Sequence, residues 1–496
     1  MSTNLFCRSC GILMPIFSLP TPYGIGTLGK EAYDFVDFLC EAGQHYWQVL
    51  PLGHTGFGDS PYQCFSTVAG NPYFIDLDFL VEKGLLDKSH LKDLDSSHSK
   101  VDYGYIYQTR WELLRLAFTR ASSLKEEINS FHKKNSDWVN DYALFMALKN
   151  HFNQKPVYEW DDSSIVQRMP DSIAHYTELL EDDINFYIFV QYLFFEQWTT
   201  LKEYANSKNI LIIGDIPMYP SPDSCDVWVN PNVFKVDSQM HPIWIAGVPP
   251  DYFSEDGQVW GNPVYDWEYL KSHNYNWWIW RIQKNLRLFD IIRIDHFRAF
   301  QDYFQIEFGE TTAKNGVWMP GPRMDFFNAL KNALGDVPII AEDLGIIDDS
   351  VRELLAESGF PGMNVMVFGF RAYENNSHMP HNWKPNSVSY TSTHDSETVG
   401  EAISELSEDD RKFALDYIYS NPTETPSFSA IRTAFASSAN TVIVPMADVL
   451  SLGVDGRINS PSTVGCNWSW RSEPDSFSSE LAKKLYKLAK IYKRLC

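Results

Sequence analysis

Apolar positions along the chain gather into short runs, and several of these runs end in acidic or polar residues. Eight of them predict β-strands: Cys10–Phe17, Tyr46–Leu52, Ile210–Ile216, Ile291–His296, Val337–Asp343, Asn364–Phe368, Ser387–Asp395 and Thr441–Met446. Between most of them the apolar residues return every three or four positions. Ala32, Val36 and Leu39 do so within Gly29–Gly43, which stops at a glycine, and Asp348–Gly359 and Asp409–Ser420 carry similar patterns. Eight strands alternating with helices predict an α/β fold, a parallel (β/α)8 TIM barrel.

Two long stretches interrupt that alternation. Residues 78–184 read as a mainly helical insertion after the second strand, with Trp111, Leu114 and Phe118, then Trp138, Tyr142, Phe145 and Phe152, at helical spacing. The following segment, Ile184–Ala205, sets Val190, Phe194, Trp198, Leu201 and Ala205 on one stripe. Such stripes predict core packing. Residues 217–269 are rich in Pro, Trp, Asp and Asn and read as a loop-rich insertion after the third strand, placed to cover a substrate. Internal repeats, low-complexity tracts and flexible linkers are absent from the sequence, so residues 1–496 are expected to form one barrel domain carrying these insertions.

Charge and composition narrow the partners. A formal net charge of −23 works against nucleic acid and anionic membrane surfaces, which reward Lys and Arg. No apolar run approaches the ~18 residues of a membrane span. Arg8 precedes a short apolar stretch, Gly11–Phe17, but Pro15 interrupts it and no small-residue cleavage site follows. The seven cysteines are odd in number and scattered, which suits a reducing compartment. A cytoplasmic enzyme is the expectation. Cys7 and Cys10 form a lone C-x-x-C, and a structural zinc would need two further ligands nearby. Aromatic residues make up 15% of the chain, with 16 Trp, an excess that a carbohydrate-binding pocket would explain, since sugar rings present apolar faces.

The sharpest chemical signal is three acidic residues, each at the end of a predicted strand. Asp295 ends Ile291–Asp295, Glu342 ends Val337–Glu342, and Asp395 ends Ser389–Asp395. In a (β/α)8 barrel that end of the strands holds the active site. By order these are strands four, five and seven, so Asp295 and Glu342 come from neighbours and can face one small cleft. Glycosidic-bond chemistry with retention needs such a pair, one carboxylate attacking the anomeric carbon and the other protonating the departing oxygen, about 5–5.5 Å apart. Arg293 shares a strand face with Asp295 and is expected to keep it ionised. Glu342 follows an apolar strand beside Asp343, so burial and like charge should raise its pKa. One such carboxylate alone would read as a helix cap. A metal site is the other alternative, and no closely spaced ligand set supports it.

Arg293-Ile-Asp-His-Phe-Arg298, Ala341-Glu-Asp-Leu-Gly345 and Ser392-Thr-His-Asp395 resemble the three catalytic blocks of the amylomaltases, or disproportionating enzymes, of glycoside hydrolase family 77. Further blocks match in order: Pro51–Gln63, Gly70-Asn-Pro-Tyr73, Gly214-Asp-Ile-Pro217, Gly247–Ser254, Gly261-Asn-Pro263 and Asn467-Trp468. The resemblance spans nearly the whole chain. It implies an amylase-like barrel with no separate C-terminal β domain. It implies Asp295 as nucleophile, Glu342 as acid/base and Asp395 as transition-state stabiliser. It places Arg293, His296, His394 and Asp343 at sugar-binding positions, and Tyr62, Asp215, Trp260 and Asn467 at donor or acceptor contacts. It implies no metal or organic cofactor. The implied activity is 4-α-glucan transfer, with α-1,4-glucans and maltooligosaccharides as donors and acceptors, and glucose as acceptor and product. Four positions depart from the family pattern: His54 stands for a proline, Phe57 for a tyrosine, Ala299 for a glycine, and Ser462 for the glycine of a block running from Arg457 to Thr463. The competing readings are an amylase-type hydrolase, which shares the same intermediate, and a glucan-binding scaffold, which would have no use for a facing acid and nucleophile.

Overall fold

The computed structural model describes residues 7–92, 94, 99–250, 254–420, 422–463 and 465–495. Asp251, Tyr252 and Phe253 of the Gly247–Ser254 block, and Cys496, lie outside the described residues.

Among the described residues twelve strands follow one another: β1 (Ser9–Leu13), β2 (Tyr46–Gln48), β3 (Leu211–Ile216), β4 (Trp244–Val248), β5 (Gln258–Pro263), β6 (Ile291–Ile294), β7 (Asp302–Glu307), β8 (Val317–Pro320), β9 (Ile339–Ala341), β10 (Gly362–Val365), β11 (Ser387–Tyr390) and β12 (Thr441–Pro445). Eight of them overlap the eight expected runs and pair in parallel, in the order β10-β11-β12-β1-β2-β3-β6-β9. β1 lies between the second and last barrel strands, with Gly11 opposite both Tyr46 and Ile443. The ring is completed where the Ala341 N–H donates to the Pro361 carbonyl, next to β10, at 3.0 Å. Helices cover the outside, so the barrel strands are largely buried on both faces, and β3, β6 and β12 read as nearly unbroken runs of Leu, Ile and Val.

The helices sit where the period placed them. Lys30–Glu41 buries Ala32, Val36 and Leu39. Asp349–Ser358 starts where the Asp348 side chain accepts from the backbone N–H groups of Ser350 and Val351, and it stops at Gly359, whose φ of 74° costs glycine little. The 27-residue helix Glu181–Ser207 packs the stripe from Val190 to Ala205 against the insertion helix Val139–His151 and the barrel.

Observed strands end earlier than the apolar runs. Asp395 was expected to close a strand, but it lies five residues past the end of β11. The Thr391 and Ser392 hydroxyls both donate to Asp448 Oδ2 at 2.6 Å, which draws the chain off the ladder into a loop.

A second, antiparallel sheet, β5-β4-β7-β8, stands beside the barrel. Residues 217–269 therefore carry two strands, where the sequence reads as loop. β7 and β8 follow the fourth barrel strand, where the apolar pattern predicts no strands. The sheet buries a small apolar cluster of Ile245, Phe304, Ile306 and Ala313, and β8 is largely exposed, so its strands lack the alternation that betrays a half-buried sheet.

The two ends of the described chain meet. Arg494, fully buried, donates to the carbonyls of Ser9, Phe435, Ser437, Ala439 and Asn440, joining the last helical segment to the start of β1 and the approach to β12. Among the described residues no helix is long and apolar enough to cross a membrane.

Candidate active site

The site grows from two neighbouring barrel strands. β3 and β6 pair with Asp215 directly opposite Arg293. Nη1 of Arg293 lies 2.7 Å from both Asp215 oxygens and 3.0 Å from Asp295 Oδ1, so one guanidinium bridges two carboxylates. The Tyr62 hydroxyl donates to Asp215 Oδ2 at 2.9 Å and sits 2.7 Å from His394 Nε2, with the two rings stacked nearly parallel. His394 Nε2 is 3.0 Å from Asp395 Oδ2, and the Asn459 amide donates to Asp395 Oδ1 at 2.7 Å. One connected chain of contacts thus runs Asp295–Arg293–Asp215–Tyr62–His394–Asp395–Asn459.

Glu342 is held from its own side. Its Oε2 accepts from the His296 backbone N–H at 2.6 Å and its Oε1 from the Leu344 N–H at 2.9 Å. His296 takes φ 48°, a left-handed turn that aims its N–H at the carboxylate. The indole of Trp260, at the middle of β5, meets the His296 ring edge-on with centroids 4.9 Å apart. The antiparallel sheet therefore reaches the barrel mouth through this contact.

Two residues named from the sequence are engaged otherwise. Asp343 turns to β10, where its Oδ1 accepts from the Met363 N–H at 2.6 Å, and a Cβ on Gly362 would come within 2.7 Å of it. Asn467 braces its own loop, accepting from the Ser460 N–H at 3.0 Å and donating to the Thr463 carbonyl at 3.0 Å. That loop bears Ser462 at φ 63°, the left-handed region where a glycine is free of strain. Asn459 was not singled out in the sequence. Its signal was the Arg457–Thr463 block that contains it. Arg457, paired with Glu397 and Glu401 at 3.0 Å each, holds that segment against the loop of Asp395. His54 is buried, its Nδ1 3.0 Å from the Tyr142 hydroxyl, and burial lowers its pKa to about 3, so it is a neutral link to the insertion helix.

Electrostatics separate the carboxylates. Burial pushes Glu342 up to about 7, against Arg293 and with help from the Asp295 charge. The like-charged neighbour that matters is Asp295 across the cleft, where the sequence pointed to Asp343. Asp295 itself is raised to about 6: burial, with Asp215 and Asp395 beside it, outweighs the guanidinium that was expected to hold it low. Asp395 is half-buried, and its partial desolvation works the other way, yet the charge and hydrogen bond of His394 and the Asn459 amide bring it down to about 2. Near neutral pH the arrangement can therefore hold one carboxyl protonated beside two carboxylates. Among the described residues no group of three or more His, Cys, Asp or Glu is placed to hold a metal ion.

A parallel (β/α)8 barrel with half-buried carboxylates gathered at the C-terminal ends of its strands is the frame of the barrel enzymes that act on glycosidic bonds. Within that class the chain belongs to the 4-α-glucanotransferase family, whose model matches residues 14–476. It is 47% identical to a 4-α-glucanotransferase of Clostridium butyricum, over 97% of this chain and 100% of that one. It is 38% identical to the chloroplastic/amyloplastic 4-α-glucanotransferase of Solanum tuberosum, over 98% and 87% of the two chains. An amylomaltase from Streptococcus agalactiae, solved in complex with acarbose, superposes with a TM-score of 0.96 at 43% identity, covering 98% of this chain and 99% of that one.

Proposed function

We propose that this enzyme moves segments of α-1,4-glucan between acceptors by double displacement through a covalent glycosyl-Asp295 intermediate. The observation that carries the reading is the division of labour among three carboxyls: Glu342 raised to about 7, Asp295 bridged by Arg293, and Asp395 lowered to about 2.

In the first step an Asp295 oxygen attacks the anomeric carbon, the C1–O4 bond breaks, and Glu342 gives its proton to the departing oxygen. The shortened glucan leaves. In the second step the 4-hydroxyl of an acceptor passes its proton to Glu342 and attacks C1, which breaks the ester to Asp295 and restores both carboxyls. Asp395, ionised and steadied by His394 and Asn459, stabilises the positive charge that develops on the sugar ring. Arg293 and His296 flank the reacting sugar. Trp260 offers an indole held against His296, suited to the flat face of a neighbouring sugar. Donors and acceptors are α-1,4-glucans and maltooligosaccharides, with glucose as the smallest acceptor and a product. The names of the relatives support this substrate class.

Transfer and hydrolysis share the intermediate and differ in what reaches it. Positioning an acceptor hydroxyl can contribute ~7–11 kcal/mol, enough to outcompete the far greater concentration of water. Incubated with maltotriose, the enzyme is expected to release glucose and a ladder of longer glucans while the count of reducing ends stays nearly constant. Added glucose or maltose should speed donor consumption. Reducing ends that rise in step with maltotriose loss, unmoved by acceptor, would make the enzyme a hydrolase.

A further inference from the structure

Just past β12, in the short helix Met446–Val449, Asp448 is completely buried. Its carboxylate meets three partners, all on one segment of chain. The Thr391 and Ser392 hydroxyls donate to Oδ2 at 2.6 Å each, and the Val399 backbone N–H donates to Oδ1 at 2.8 Å. None of the three carries a charge. Burying a carboxylate without a cation is costly, and burial raises the pKa of this one against the hydrogen bonds that lower it. What the buried charge gains is a firm grip, because hydrogen bonds to an ionised acceptor are roughly twice as strong as neutral ones.

The segment it grips carries His394 and Asp395. Thr391 and Ser392 form the outgoing leg, directly after β11, and Val399 opens the helix Val399–Glu405 on the return. Asp395 stands between the two gripped ends. The hydrogen bonds at its own carboxylate come from His394 and Asn459, which steady the tip of the side chain. The backbone that bears it is tied within the loop by short-range contacts, such as the Asp395 N–H to Thr393 Oγ1 at 3.3 Å and the Thr393 N–H to Ser396 Oγ at 2.9 Å. Those contacts shape the loop but do not fix it to the barrel. Asp448 does, from the neighbouring strand, since β11 and β12 pair directly.

We propose that Asp448 is a positioning residue for the transition-state carboxylate: by clamping both legs of the Thr391–Val399 loop it sets where Asp395 stands against the reacting sugar. The proposal rests on the role given to Asp395 above. Asp448→Asn keeps the shape, one oxygen for the Val399 N–H and an amide that can still bond both hydroxyls, without the charge. Asp448→Ala removes the clamp, and Thr391→Val removes one donor and leaves the carboxylate. Rates on maltotriose are referred to folded enzyme, read from near-ultraviolet circular dichroism. Asp448→Asn is expected to lower kcat about tenfold and Asp448→Ala about a hundredfold, because a displacement on the order of 1 Å can cost that much. Thr391→Val should act in the same direction more weakly. KM should stay within about twofold, since Asp395 acts on charge that develops only in the transition state. The deciding measurement repeats the substitutions in Asp395→Asn, with a maltosyl fluoride donor to keep residual rates measurable. There the effect of each should shrink below about twofold, because the group being positioned is gone. An equal factor in both backgrounds overturns the proposal, as does an unchanged kcat in folded Asp448→Asn. If Asp448→Ala does not fold, the other two substitutions carry the same cycle. Full activity in Asp395→Asn alone would overturn the role of Asp395 beneath the proposal, and it is read from a variant in which Asp448 is intact, which separates the two failures.

Discussion

Asp295 and Glu342 must be in opposite protonation states for the first chemical step, and their environments set the window. Turnover needs Asp295 ionised, so kcat/KM rises with pH as that carboxyl loses its proton near 6. It needs Glu342 protonated, so kcat/KM falls as that carboxyl loses its proton near 7. The expected profile is a narrow bell centred between the two. Because each group lies in the other's field, the two midpoints belong to the pair. A flat profile from pH 5 to 8, roughly the range in which both groups should titrate, would contradict the assignment. Asp295→Asn should reduce transfer below about 1% of the parent enzyme, since it removes the covalent path. The same substitution deletes a negative charge that raises Glu342, so the Glu342 midpoint should fall. Carboxyl ¹³C resonances of labelled Glu342 would show it, and an unmoved midpoint would place the two groups in separate sites.

At the scale of strands and loops, the motif glycines explain themselves through their neighbours. Gly214 precedes Asp215 in β3, and a Cβ there would come within 2.1 Å of the Phe289 ring. Gly214→Ala should therefore push β3 off its partners and cost roughly 1–3 kcal/mol, as overpacked cores do. The measurement is the denaturant midpoint, and an unchanged midpoint would show that Phe289 moves aside freely. The barrel was legible because its strands are largely buried and several of them, β3, β6 and β12 above all, write nearly unbroken apolar runs. Arg293, Asp295 and Glu342 were legible because they end or sit in those runs, whereas Asp215 was reached through the family resemblance. The antiparallel sheet was not, because β8 faces solvent and β5 mixes Gln258, Asn262 and Pro263 among its apolar positions. Asn459 was missed for a different reason. It acts through one hydrogen bond from a loop 64 residues distant, and the Arg457–Thr463 block marks that segment without showing which of its residues makes the contact. The expected depression of the Asp295 pKa failed because adjacency on a strand reveals the arginine and hides the burial and the two further carboxylates.

The whole molecule is strongly acidic, yet the ligand the site suits is uncharged. Long-range attraction should contribute little to capture, and kcat/KM for maltodextrin is expected to vary less than about twofold between roughly 0.05 and 0.5 M salt. A steep salt dependence, read from initial rates, would point to a charged partner. The pairing of β1 with β12 has a consequence in time. A ribosome delivers β1 early and β12 more than four hundred residues later. Until then β1 has one open edge, and the carbonyls that Arg494 will gather have no guanidinium. Synthesis, at about 5–20 residues per second, leaves that edge waiting for tens of seconds. During that wait the nascent chain carries an unpaired strand of a kind that readily joins a second molecule. The barrel becomes safe from its own kind once β12 and Arg494 have left the exit tunnel, so a chain stalled before them would be a seed for aggregation.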